Sequence, residues 1–198
     1  MKKIIFGLFA ISTFAFGATG NNNIYFRGEF SPFSKYKLEE NNGVKEEIDE
    51  AAYALAVEVT KEISNGFETG VGIGYQWNGS FKYDANFDDT DGRLPDMHSI
   101  PIYATVKTDI PALRIGQWTP YLKGDLGFSY NDLKDTDNYS FENGFYYAFG
   151  IGLEIEELSI EVSYKTNTGK LKVKSKDSKY DVDSHRIMLG AALKFDLN

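Results

Sequence analysis

Apolar residues fall at every second position in eight stretches of the chain. In residues 24–33, Ile24, Phe26, Gly28 and Phe30 oppose Tyr25, Arg27, Glu29 and Ser31. Residues 52–63 set Tyr53, Leu55, Val57 and Val59 against Ala54, Ala56, Glu58 and Thr60. The pattern recurs over residues 67–77, 99–108, 120–130, 145–155 and from Leu158 to Lys165. It ends in residues 183–198, where Ile187, Leu189, Ala191, Leu193, Phe195 and Leu197 alternate with Arg186, Met188, Gly190, Ala192, Lys194 and Asp196. Successive side chains of a strand point to opposite faces, so each stretch reads as a β-strand with one apolar and one polar face.

The connections sort by length. Asn65-Gly66 is a hairpin signal, and Glu156-Glu157 marks a second tight turn. Residues 36–50, 78–97, 131–143 and 166–182 read as long polar loops, and 109–119 as an intermediate one. Short turns at one end and long loops at the other predict an all-β, eight-stranded, antiparallel up-and-down transmembrane β-barrel. Pro101 falls on the polar face near a strand start, where a missing N–H is tolerated. Past Tyr164 the apolar parity changes, to Leu171 and Val173. That change predicts a bulge at Thr168-Gly169; the alternative is an extra hairpin there and ten strands.

The N-terminus decides between a soluble sheet and a membrane wall. Lys2 and Lys3 precede an apolar run, residues 4–16, too short to span a membrane as a helix. Ala15, Gly17, Ala18 and Gly20 follow, so residues 1–20 read as an export signal cleaved after Gly17 or Gly20. Residues 21–198 remain as one domain. There are no cysteines, which excludes disulfides, thiolate metal sites and a lipid-anchored cysteine. The formal charge of −8, which grows when the leader lysines leave, argues against nucleic-acid binding. Aromatics at 15% and 19 glycines suit a wall with lipid on one side.

In a barrel the polar faces line the interior. They carry Arg27, Glu29, Glu58, Glu68, Lys107, Lys123, Asp125, Glu154, Glu161, Lys165, Arg186 and Lys194, six cations and six anions. An eight-stranded interior is filled by side chains, and buried charges must pair, so these form a structural lumen network. The inner glycines Gly70, Gly72, Gly74, Gly150 and Gly152 leave room for long side chains from opposite strands. Trp77, Tyr130, Phe145 and Tyr164 at one end, and Phe67, Trp118, Tyr121 and Phe195 at the other, read as aromatic girdles. Asp84, Asp88, Asp89, Asp91 and Asp96 read as a solvated acidic loop: a calcium-loop register on Gly92 would put Phe87 and His98 at ligand positions. His98 and His185 each adjoin a serine, Ser99 and Ser184, but strand neighbours point apart, so neither pair makes a dyad.

In these features the chain resembles the small outer-membrane barrels, the OmpA/OmpX-like eight-stranded family, over about residues 22–198. The resemblance implies a non-enzymatic bacterial outer-membrane protein of envelope structure, surface interaction or adhesion, without cofactor or metal. The implied partners are outer-membrane lipids and lipopolysaccharide, an external ligand at the loops, and the outer-membrane assembly machinery through the C-terminal strand. A monomer is expected, and no nucleic acid. The family usually ends at its terminal aromatic, whereas Asp196-Leu197-Asn198 follows Phe195 here. The alternatives are a lipid-modifying barrel enzyme using His98 or His185, and a soluble periplasmic ligand-binding barrel.

Overall fold

A computed structural model describes residues 20–39, 45–78, 97–133, 139–173 and 178–197. The expected export signal, as far as Thr19, and the acidic run from Asp84 to Asp96 lie outside these residues. The strands are β1 Asn22–Glu39, β2 Lys45–Ser64, β3 Phe67–Trp77, β4 Met97–Asp109, β5 Thr119–Leu133, β6 Tyr139–Glu142, β7 Gly144–Ile155, β8 Leu158–Val173 and β9 Ser178–Leu197. Each pairs antiparallel with its neighbour, and β9 returns to β1, so the sheet closes on itself. β6 and β7 both pair with β8 and form one interrupted wall, which makes eight walls in all. The ten-strand alternative is absent, because β8 runs unbroken through Thr168-Gly169.

Two irregularities differ from the sequence reading. The β8–β9 register is continuous from Leu158↔Leu193 to Val173↔Ser178, so no bulge sits at Thr168-Gly169. The break lies opposite, at Asn143, and side chains close it. Asn143 Oδ1 accepts the Asn131 amide at 3.3 Å, and Thr168 Oγ1 accepts the Phe145 amide at 2.9 Å. A second break is in β1, which carries one extra residue between Ser31 and Ser34 against β2. Pro32, with no N–H to offer a ladder, falls inside it.

Pro101 has a visible cost. The β3–β4 pairing lapses opposite it, between Ile73↔Ile102 and Gln76↔Ser99, while β4–β5 stays intact. At the short-turn end, only Gly66 of Asn65-Gly66 takes positive φ, 74°, and the register shifts between Glu62 and Ser64. The hairpin is therefore a bulged turn rather than the mirror-image two-residue type, which needs positive φ at both residues.

Much of what reads as long loop is sheet. β1 and β2 stay paired to Glu39↔Lys45, and β8 and β9 to Val173↔Ser178. Lys170 of β8 and Asp181 of β9 stand across from each other and pair at 3.1 Å, a cross-strand ion pair of the kind that stabilises a sheet by roughly 0.2–1 kcal/mol. The C-terminal tail is also explained, since Asp196 and Leu197 pair with Asn23 and Asn22.

Candidate functional site

The interior is bonded across the bore. Its middle network centres on Glu58 of β2, which accepts the Tyr103 hydroxyl of β4 at 2.8 Å and pairs with Lys123 of β5 at 2.9 Å. Lys123 also pairs with Asp125 at 2.6 Å. Arg27 of β1 lies 3.6 Å from Glu58 and 3.1 Å from Glu161 of β8, which accepts the Tyr121 hydroxyl at 3.0 Å. Nearby, Lys165 and Glu29 pair at 2.6 Å.

A lower network fills the short-turn end. Lys107 pairs with Glu154 at 2.5 Å and Glu68 at 3.4 Å. Lys194 reaches the same two carboxylates at 3.3 and 3.6 Å. Glu68 also accepts the hydroxyls of Tyr25 at 2.9 Å and Thr60 at 2.6 Å. Glu154 and Lys194 are half-buried and the rest of the twelve are buried.

The outer network differs in kind. Asn167 Nδ2 donates to Gln76 Oε1 at 2.6 Å, and Ser99 Oγ donates to Asn131 Oδ1 at 2.8 Å. Arg186 donates to Asn78 Oδ1 and, at 2.8 Å, to Ser184 Oγ. The sequence predicts an acidic partner for Arg186, and among the described residues its hydrogen-bond partners are neutral.

Outside the bore the apolar set faces out on every wall. Phe26, Leu55, Ile73, Ile102, Leu126, Ile151, Ile160 and Leu189 are all exposed, spanning β1 to β9. A closed sheet with its charges inside and its apolar face outside inverts a soluble fold. Solved structures match it. Neisserial surface protein A superposes with TM-score 0.51 over 87% of this chain and 97% of its own, at 16% identity. The outer membrane protein OprG of Pseudomonas aeruginosa gives 0.56 over 90% and 97%, at 14% identity. The outer membrane protein AlkL, solved in lipid bilayers, gives 0.54 over 91% and 92%, at 14% identity. The fold is that of the eight-stranded outer-membrane barrels. An uncharacterised protein of Pasteurella multocida is 24% identical over 231 residues, covering 96% of this chain and 97% of that one. No family model matches.

Within the outer-membrane barrel, Trp77, Tyr130, Phe145, Tyr164, Phe67 and Phe195 sit exposed on the outer face. Tyr121 does not join them. It is 1% exposed, inside, which corrects its place in a girdle. The sequence reading also left out the role of the inner tyrosines Tyr25, Tyr103, Tyr121 and Tyr146, although their parity with Arg27, Lys107, Lys123 and Glu154 on the same strands marks them as inward. Nor do the inner glycines chiefly receive side chains from across the bore. The Tyr103 ring lies over its directly paired neighbour Gly72, where an added Cβ would come within 2.5 Å of the ring. Gly72→Val is expected to push that ring off Glu58 and cost roughly 1–3 kcal/mol of overpacking. Urea unfolding in lipid vesicles, followed by tryptophan fluorescence, checks this.

The rim histidines stand apart from their serines. Ser99 and Ser184 are buried inside, while His98 stacks on Tyr75 at 5.6 Å and His185 on Tyr164 at 6.0 Å, both half-exposed. His185 Nδ1 lies 2.9 Å from the Tyr164 hydroxyl and 3.1 Å from Thr166 Oγ1. Among the described residues neither histidine bonds to the serine beside it, and His185 meets the Tyr164 and Thr166 hydroxyls instead.

Proposed function

We propose that the chain is a non-enzymatic protein of a bacterial outer membrane, with a lumen closed by its ion pairs, serving envelope structure or surface contact. The observation that carries this reading is the bonding across the bore. Lys123–Glu58 joins β5 to β2, Tyr25–Glu68 joins β1 to β3, and Tyr121–Glu161 joins β5 to β8. Bonds between non-adjacent walls occupy the space that a pore would need. The exposed apolar belt supports residence in lipid, and the exposed Lys170–Asp181 pair beyond it supports a sheet standing in water.

Lipids and lipopolysaccharide are the partners such a belt would meet. Export through residues 1–20, assembly recognition of the C-terminal strand, and a monomeric state belong to the same proposal.

Purified protein reconstituted in planar lipid bilayers is expected to give no large stable conductance. A steady conductance at wild-type sequence would overturn the closed-lumen reading. Cell fractionation tests the address: a pool released without detergent counts against the outer membrane.

A further inference from the structure

We propose that the outer end of the lumen binds a monovalent anion of halide size on the Arg186 guanidinium. Arg186 is 2% exposed, and an arginine cannot shed its charge. It donates to Asn78 and Ser184, both neutral, and its Nε–H is buried with no partner. No carboxylate among the described residues lies within ion-pair distance of it. Directly across on β8 the register places Lys165, a second buried cation. The carboxylate nearby, Glu29, is held by Lys165 at 2.6 Å. Arg186 is therefore the one cation of the six with no carboxylate in contact among the described residues, although the twelve charges balance in number.

The hydrogen-bonding pattern points the same way. Arg186 leads through Asn78 and Ser99 to Asn131, by bonds of 2.9 Å from Asn78 Nδ2 to Ser99 Oγ and 2.8 Å from Ser99 Oγ to Asn131 Oδ1. Asn131 Nδ2 is buried and also lacks a partner. Both ends of this chain thus leave N–H donors unmet. Asn167 Oδ1 is a buried acceptor without a partner, and a water would serve it. Water can meet the hydrogen-bonding need of Arg186 but not its charge, and a buried charge without a counter-charge costs several kcal/mol. A guanidinium with an unmet N–H and no carboxylate in contact calls for a negative charge beside it. The burial of the guanidinium limits the guest to a small ion.

The test uses full-length protein in detergent micelles. Its unfolding midpoint is followed as chloride replaces gluconate at constant ionic strength, beside Arg186→Gln and Ser184→Asp. In the wild type, chloride and bromide are expected to raise the midpoint by several degrees, growing with the logarithm of their concentration, as binding to the folded state requires. Arg186→Gln removes the cation, and Ser184→Asp sets a carboxylate against it; both are expected to respond equally to chloride and gluconate. Should Arg186→Gln fail to fold, Ser184→Asp and bromide soaks of wild-type crystals decide. A bromide anomalous peak beside Arg186 Nε supports the site. Equal wild-type midpoints in chloride and gluconate, an undiminished chloride response in Ser184→Asp, or bromide at surface lysines only would each overturn it. The test reads binding alone, so its failure leaves the closed-lumen reading standing.

Discussion

Lys123→Met is expected to remove roughly 3–5 kcal/mol from the stability of the barrel, the usual cost of breaking a buried ion pair from one side. Lys123 bridges Glu58 at 2.9 Å and Asp125 at 2.6 Å. Without it, Glu58, Asp125 and Glu161 face Arg27 alone. Methionine keeps much of the volume, so the loss reports charge and not a cavity. Adding Asp125→Asn removes one of the three carboxylates, and this double variant is expected to recover more than half of the loss. Urea titration in lipid vesicles, read by tryptophan fluorescence and by gel mobility of unheated samples, measures both. A loss under about 1 kcal/mol would mean that water screens these charges as it does at a surface, and the closed lumen would fall with it.

Leu126→Arg is expected to cost about 2–4 kcal/mol in a bilayer, the measured scale for arginine at the midplane of a barrel's lipid face. Leu126 is 65% exposed and lies midway along β5. In water the same change would be nearly silent, because exposed substitutions away from special features move stability by about 0.5 kcal/mol at most. Leu113→Arg, on the short 3-10 turn Pro111–Leu113 at the short-turn end, serves as the control near the interface. Its expected cost is about 0–1 kcal/mol. Equal small effects at both sites, measured by vesicle refolding, would place the outer face in water.

Alternation made the faces legible before any coordinates. Lipid dictates what one side of a strand can carry, so Ile187, Leu189, Leu193 and Phe195 face out as their parity requires. The same cause explains where parity misled. Beyond Tyr164 the strands leave the apolar belt, and nothing there demands an apolar outer row. The β8–β9 ladder runs on through Leu171 and Val173 without a bulge. Charge-rich stretches read as loops for a related reason: rows such as Lys35, Asp49 and His185 form only once three distant segments lie side by side. Pair identity was the least legible part of the site. Period two says that Arg186 points inward but not which residues stand across the bore. Tyr121 was drawn to the membrane boundary by being aromatic, although its parity with Lys123 and its bond to Glu161 place it inside.

The walls also differ in length. β2 and β9 have 20 residues each and β1 has 18, whereas β3 has 11 and β4 has 13. At about 3.3 Å per residue, the long walls reach some 20 Å further along the strand direction than the short ones. Among the described residues the sheet therefore ends on a slant, with one flank taller than the other. A neighbour in the plane of the membrane that approaches β9, β1 and β2 meets a tall flank of sheet.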